Sequence, residues 1–366
     1  MKEVQLNMFC KWINDMKIKV HNSTVPTLPY PNAVEDSFTV GSLFSGVGGI
    51  CLGFKQAGFN LVWANEMDSN ACRTYLENFD HILYEGKVEE LDAKYLSYAD
   101  VITSGFPCQA FSIAGYRKGF DDHRGQLFEE TMRIINDIKP KVFLLENVKN
   151  LVAHDKGHTF RIMQEIVQDY GYSFIPKVMN SMEYGNVPQN RERIYIVGFK
   201  DEEGYDRKKP GQEFVCSYNF SFPNPVNLTK KVTDIVALEV PKDYYYTKFA
   251  HYKKLLEYHW GPETVGQWRR VYVRQNKKKV CPTLTANMGT GGHNVPLVKD
   301  CKDIRKLTPQ ECFMLQGFPE NFNLPKGMAN SHLYKQAGNS VTVPVIKRIA
   351  DQMKKALLVK YSQVCV

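Results

Sequence analysis

Phe38-Thr39-Val40-Gly41-Ser42-Leu43-Phe44-Ser45-Gly46-Val47-Gly48-Gly49-Ile50 is where regular patterning begins in this chain. The apolar run Phe38–Phe44 reads as a strand, the glycines as a tight turn, and the residues after them as a helix stopping at Gly58. Leu61-Val62-Trp63-Ala64-Asn65 makes a second strand, and Asp68 stands where the following helix needs an N-cap. Val101-Ile102-Thr103 and Val142-Phe143-Leu144-Leu145 are further short apolar strands, with a helical stretch over Gln126–Ile138 between them. Strands alternating with helices in this way predict a parallel, doubly wound α/β sheet. Such sheets bind ligands beyond the carboxyl ends of their strands.

Outward from this core the pattern changes at both ends. Residues 1–37 show little periodicity and carry Pro26, Pro29 and Pro31, which reads as a peripheral extension. After the strand Arg193–Phe199 the alternation stops, and residues 201–300 carry many Pro, Gly, Lys and Tyr, with a helical pattern only near Lys248–Tyr258. This predicts a second, smaller, irregular domain. Thr308-Pro309-Gln310-Glu311 supplies an N-cap, a first-turn proline and a capping box, so a helix starts there. Val345–Leu358 reads as an amphipathic helix that packs back on the sheet.

With 43% apolar residues among 366, the chain can bury a sizeable core. No apolar run approaches the length of a membrane span, and the N-terminus lacks a secretory apolar stretch. The nine cysteines include no Cys-x-x-Cys pair, so neither a zinc ribbon nor a disulfide framework is indicated, and a reducing cytoplasm suits them. The formal charge of +8 is concentrated: from Lys230 to Asp300 there are 13 Lys and Arg against 6 Asp and Glu. Tyr244, Tyr245, Tyr246, Trp260, Trp268 and Tyr272 are interleaved with them. That mixture suits a polyanion with stackable bases, although a solvated basic face has the same composition.

The functional edge of the sheet carries the chemistry-bearing residues. Glycines at the first turn let a ligand approach the backbone and leave a helix N-terminus open to an acceptor. Seventeen residues beyond Gly49, Glu66 ends the next strand, where a carboxylate can hold the ribose hydroxyls of a nucleoside. The spacing differs from the dinucleotide Gly-x-Gly-x-x-Gly, which disfavours a nicotinamide site. Pro107-Cys108-Gln109 follows the strand at Val101, and a thiol there can be both positioned and covered; a packed structural cysteine is the alternative. Glu146 follows Val142–Leu145, and apolar flanks favour its proton-bearing form, with helix capping or ion pairing as the alternative. Gln189-Asn190-Arg191-Glu192-Arg193 opens another strand, in which arginines two apart share a face and can donate to a carbonyl oxygen or a phosphate.

These blocks in this order, with Gly338-Asn339-Ser340-Val341, Arg305–Glu311 and Gln316-Gly317-Phe318-Pro319, resemble the DNA (cytosine-5)-methyltransferases over roughly residues 38–356. The resemblance implies a Rossmann-like S-adenosylmethionine-dependent methyltransferase fold divided into four segments. These are an extension (1–37), a catalytic and cofactor-binding domain (38–200), a target-recognition domain (201–325) and a C-terminal segment (326–366). It implies that Cys108 attacks carbon 6 of a flipped cytosine, that Glu146 bonds ring nitrogen 3 and the exocyclic amine, and that Arg193 contacts the carbonyl oxygen with Arg191 in support. Phe44, Ser45, Gly46, Gly48, Gly49, Glu66, Met67, Pro107, Asn339 and Ser340 are expected around S-adenosylmethionine, whose product is S-adenosylhomocysteine, with no metal. Gln109, Ser112, Thr283, Arg269, Arg270 and Arg274 are expected on double-stranded DNA.

In one place the pattern departs from the family. Where an acidic residue usually faces the adenine amine, this chain reads Gly86-Lys87-Val88, with Glu89 the next acidic residue. The related branch acting on transfer RNA shares most blocks, but its Cys-Phe-Thr segment is missing before Gln189. The compact layout is similar to bacterial restriction-modification enzymes. That implies a monomeric, cytoplasmic protein associated with the nucleoid through DNA, with a possible cognate endonuclease acting on the same site without direct contact.

Overall fold

The computed structural model describes residues 17–19, 37–107, 126–200, 218–249, 252–269, 272–276, 278–290 and 294–364. They form two compact units: Met1–Met179, Glu192–Pro223 and Lys347–Val366 in the first, and Asn180–Arg191 with Asn224–Ile346 in the second. This division differs from the linear segmentation read from the sequence. Residues 180–191 join the second unit, and the C-terminal segment is shared, with 326–346 in the second unit and 347–366 in the first.

The first unit is built on β1 (Lys17–Lys19), β2 (Thr39–Leu43), β3 (Asn60–Glu66), β4 (Ile82–Glu85), β5 (Val101–Ser104), β6 (Val142–Val148), β7 (Ile175–Asn180) and β9 (Glu192–Phe199), while β8 (Gln189–Asn190) lies in the second. The strand order is β1-β4-β3-β2-β5-β6-β9-β7. From β4 to β6 every neighbour is parallel. The core of the sheet is parallel as expected, and its flanks are mixed, because β9 runs antiparallel to β6 and β1 antiparallel to β4. The N-terminal extension thus supplies an edge strand.

Burial explains why these short runs are strands. All four residues of β5 and the first six of β6 are buried, as strands covered on both faces must be. Trp63 packs closely on β2: a Cβ on Gly41 would stand 2.2 Å from its ring. On one face α3 (Gln126–Ile138) adds Phe128, Met132 and Ile135 to a core with Leu43, Ile102, Phe106 and Phe143. The last helix, α9 (Val343–Val364), buries Ile349, Ala350, Met353, Ala356 and Leu357, one helical stripe. Within the first unit its Lys354 Nζ donates to the carbonyl of Gly58 at 3.0 Å.

α1 (Gly49–Gln56) and α2 (Ser69–Leu76) flank β3 in sequence. Asp68 caps α2, its carboxylate accepting from the backbone of Asn70 and Ala71 as expected. α4 (His158–Asp169) follows β6. Behind the glycine turn, Tyr75 Oη stands 2.7 Å from His81 Nε2 and 3.1 Å from Cys51 Sγ. His81 also meets Tyr75 and Phe79 edge-on.

The second unit is more regular than its composition predicted. It holds a four-stranded antiparallel sheet in the order β11-β10-β13-β14, from β10 (Gly266–Arg269), β11 (Tyr272–Gln275), β13 (Leu297–Lys299) and β14 (Ile304–Lys306). Strands of three or four residues are too short to show an alternating pattern. β8 pairs in parallel with β12 (Cys281–Pro282). The helices are α5 (Ser181–Tyr184), α6 (Tyr252–Leu256), α7 (Pro309–Met314) and α8 (Asn330–Asn339). Thr308 and Glu311 form the expected capping box of α7. Glu311 does more: with Asp300 it grips the wholly buried guanidinium of Arg305 at 2.8 and 2.6 Å.

Burial holds His81 down to about 4 from the usual 6.5, with Lys55 adding to the effect and Asp80 opposing it. The unfolded chain therefore takes up this proton near pH 6.5 and the folded chain only near pH 4. Stability should be fully present above 6.5 and fall as pH drops through that interval, by up to roughly 3 kcal/mol from this one group. Urea unfolding midpoints measured from pH 7 to 4 should fall less steeply in His81→Phe; superimposable curves would contradict the assignment.

Candidate active site

Strands β2 and β5 are adjacent, yet from β2 the chain crosses to β3 on one side and later returns to β5 on the other. In open α/β sheets a crevice forms where such crossings diverge, at the carboxyl ends of the two strands. The segments Phe44–Gly49 and Gly105–Pro107 leave from those ends. Cys108, Gln109, Ser112 and Arg270 lie outside the described residues.

The glycine turn is held by backbone geometry. Phe44, Gly46 and Gly48 all have left-handed φ, of 50°, 56° and 90°. Gly46 faces open space, with nothing within 4 Å of a built Cβ, so its glycine serves the turn and leaves room beside it. Gly48 is different: a Cβ there would stand 2.2 Å from the Phe79 ring, so this glycine, expected at the cofactor, serves packing. Gly49 begins α1 and is buried, and Ser45 Oγ donates to the Asn65 carbonyl at 3.0 Å.

Glu66 ends β3 as predicted. Its Oε2 accepts from Gly46 N at 2.8 Å, and its Oε1 accepts from Met67 N at 2.9 Å and Asp68 N at 2.8 Å. The carboxylate therefore ties the end of β3 to the glycine turn. Burial raises its pKa while these three N–H bonds oppose the rise. Met67 is 62% exposed. Lys87 is exposed and precedes the short 3₁₀ turn Val88–Glu90, in which Val88 is buried and Glu89 exposed.

Glu146 lies within β6 rather than after it. The strand runs on to Val148 because β9 pairs with it along its whole length, Glu146 opposite Tyr195 and Val148 opposite Arg193. Diagonally across this ladder, Arg193 Nε stands 3.3 Å from Glu146 Oε1, both side chains nearly buried. The carboxylate that the sequence set among apolar flanks thus has a guanidinium beside it. A Cβ on Gly105 would lie 3.9 Å from Glu146 Oε2, which places the carboxylate beside the segment leading to Cys108.

Arg191 and Arg193 do not share a strand face. Regular strand structure is interrupted at Arg191, between β8 and β9, and Arg191 belongs to the second unit. There it is 2% exposed and donates to the carbonyls of Leu284 at 2.7 Å, Ser340 at 2.5 Å and Gly338 at 3.3 Å. Gln189 donates to the Leu315 carbonyl at 2.7 Å and accepts from Leu284 N at 3.1 Å. A Cβ on Gly338 would stand 2.2 Å from the backbone of Thr285, so only glycine lets α8 approach the segment that follows β12. Ser340 is buried and Asn339 exposed.

Thr283, Arg269 and Arg274 line one cavity of about 220 Å³ in the second unit, with Asn190, Gln267 and Asn276. Thr283 Oγ1 donates to the Asn190 carbonyl at 2.7 Å. Sequence reasoning missed Asn147, whose Nδ2 donates to the Phe106 carbonyl at 2.9 Å while its Oδ1 accepts from Val148 N at 2.8 Å. It clamps the backbone two residues ahead of Cys108. A polar amide in an apolar strand was the available signal. Among the described residues, no group of three or more His, Cys, Asp or Glu could hold a metal ion, and no helix is long and apolar enough to cross a membrane.

Comparison with known proteins agrees over the same span. Residues 38–355 match the family model described as C-5 cytosine-specific DNA methylase. The type II methyltransferase M.Bsp6I of Bacillus sp. (strain RFL6) is 53% identical over 325 residues, 87% of this chain and 99% of that protein. M.SsoII of Shigella sonnei is 36% identical, over 90% of this chain and 84% of its own. M.HhaI of Haemophilus parahaemolyticus is 34% identical, over 86% and 94%. Among solved structures, DNMT2 of Spodoptera frugiperda superposes with a TM-score of 0.63 at 19% identity, covering 88% of this chain and all of that one. Dnmt2 of S. pombe gives 0.64 at 18%, over 88% of this chain and 99% of its own, and the two share the fold. The chain belongs to the C-5 cytosine-specific DNA methylase family.

Proposed function

We propose that this DNA cytosine-5 methyltransferase acts through a covalent adduct of Cys108 with a flipped cytosine, held by Glu146 and Arg193. The observation that carries the reading is the Glu146–Arg193 pair, 3.3 Å apart beside Gly105. A carboxyl group and a guanidinium so placed match a pyrimidine edge that offers ring nitrogen 3 beside a carbonyl oxygen. Carbon 5 of cytosine is a poor nucleophile, and thiolate addition at carbon 6 enriches it. Glu146 steadies ring nitrogen 3 and the amine as charge develops, while Arg193 donates to the carbonyl oxygen. Asn147 holds the Phe106 carbonyl, two residues before Cys108 in the chain. After transfer a base removes the proton from carbon 5, the bond to sulfur breaks, and Cys108 is released. Neither carbon is reachable in a stacked duplex, so the base must leave the helix at a cost of about a few kcal/mol.

The residues present fit S-adenosylmethionine, which supplies an electrophilic methyl group when bound. Glu66 has three of its roughly four acceptor positions taken by N–H groups, leaving Oε2 able to receive one ribose hydroxyl. Gly46 leaves open space next to it. Phe44, Met67 and Pro107 follow the carboxyl ends of β2, β3 and β5, and the family resemblance adds Asn339 and Ser340 to the expected cofactor residues. Residues 201–300 choose the target sequence, supported by their excess of basic and aromatic side chains. Type II relatives favour duplex DNA over the transfer-RNA reading. A monomeric, cytoplasmic, nucleoid-associated enzyme beside an endonuclease of the same specificity fits this layout.

Bisulfite sequencing of DNA from cells expressing the chain should reveal 5-methylcytosine in one short sequence. Duplex DNA carrying 5-fluorocytosine there should form a denaturation-resistant complex only with S-adenosylmethionine, because fluorine cannot leave as a cation. Cys108→Ser should abolish the complex and Glu146→Gln should slow it; trapping by Cys108→Ser would identify another nucleophile.

The two arginines should separate by measurement. Arg191→Met strands buried carbonyls and should lower stability by at least about 2 kcal/mol. Arg193→Met should lose turnover with less than half that stability loss, and equal effects on both quantities would contradict the division. Exchanging residues 201–300 for those of a relative should move the methylated sequence; an active chimera that marks the original site would refute the assignment.

A further inference from the structure

The β10–β11 hairpin presents one face that packing does not account for. Its register sets Gln267 opposite Arg274, Trp268 opposite Val273 and Arg269 opposite Tyr272. Trp268 and Val273 enter the core with Leu255, Leu297 and Ile304. Side chains alternate across a strand, so Gln267, Arg269, Tyr272 and Arg274 all fall on the opposite face. Arg269, Tyr272 and Arg274 are exposed, and β11 is the edge of its sheet.

The two arginines on this face are held differently. Gln267 is 3% exposed, and its Nε2 donates to the Asn294 carbonyl at 3.1 Å. That bond fixes the amide, so Oε1 is the atom that receives Arg269 Nη2 at 3.1 Å. One of five guanidinium donors is spent on orientation and the rest remain. Arg274 has no such brace, and among the described residues neither arginine is paired with a carboxylate. A braced guanidinium on a two-stranded ribbon is suited to the major groove, where guanine alone offers paired acceptors, O6 and N7, to an arginine fork.

We propose that Arg269, positioned by Gln267, reads one guanine of the recognised sequence through the major groove, while Arg274 contacts phosphate without regard to sequence. This rests on the reading of the chain as a methyltransferase of duplex DNA. The ribbon lies against the cavity that also holds Asn190, Asn276 and Thr283, so further polar groups stand ready for neighbouring base edges.

The test uses the full-length protein on a pool of duplexes randomised around the methylated cytosine, with methylation scored by sequencing. The wild type should require guanine at one position that Arg269→Ala accepts with any base, a loss of discrimination of roughly 5- to 150-fold there and none elsewhere. Gln267→Leu should erode discrimination at that same position, which a merely structural role would leave untouched. Arg274→Ala should slow all sequences alike and lower the salt dependence of binding by about one charge. Replacing the guanine with 7-deazaguanine removes N7 and should slow the wild type but not Arg269→Ala. An unchanged sequence preference in Arg269→Ala, or a uniform loss like that of Arg274→Ala, would overturn the proposal. A wild-type protein that marks no duplex would instead refute the activity on which it stands.

Discussion

The parallel pairing of β2 with β5 is the constraint on which the first unit depends. Val40 to Leu43 align with Val101 to Ser104, so the segments that follow Leu43 and Ser104 leave the sheet side by side. The crossings from β2 and β5 diverge, the arrangement that in open α/β sheets leaves a crevice at the strand ends. Everything proposed to handle cofactor and cytosine in this unit is attached to that edge. Glu66 arrives because β3 is the other neighbour of β2, and Glu146 because β6 is the other neighbour of β5. Backbone bonds from Gly46 to Glu66 and from Asn147 to Phe106 then turn strand order into fixed positions.

The second unit relies on a different device. Its elements are short, so backbone carbonyls that a long helix or wide sheet would satisfy need side-chain donors. Gln189, Arg191 and Gln316 supply them, reaching Leu315, Leu284, Gly338, Ala337 and Ser340. Arg305 does the same with Ala237 and is neutralised by Asp300 and Glu311. These bonds join sequence blocks about 150 residues apart, as between Arg191 and Ser340. Removing one donor would leave several buried acceptors unmet, at a cost to stability. The hairpin face of Arg269 and Arg274 is free of this duty, so it can vary without disturbing the fold.

Much of the fold was legible because local signals carried it. Short apolar runs predicted β2, β3, β5 and β6 within a few residues, and Asp68 and Thr308 marked helix starts that the structure shares. The glycine turn was visible as well, since left-handed φ at Gly46 and Gly48 restricts what can stand there. The short strands β10 to β14 were not legible, because three or four residues cannot display a period of two.

The sequence by itself therefore determined the α/β order, the edge of the sheet at which the candidate residues gather, and their residue types. Only the tertiary structure decided which of those residues meet. Arg191 and Arg193 look equivalent in the chain, yet the interruption between β8 and β9 commits one to buried carbonyls and the other to Glu146. Gly46 and Gly48 look equivalent too, yet one faces open space and the other the Phe79 ring. The reason is physical: local propensity acts over a few residues, whereas burial, strand register and the satisfaction of polar groups are settled by partners distant in sequence.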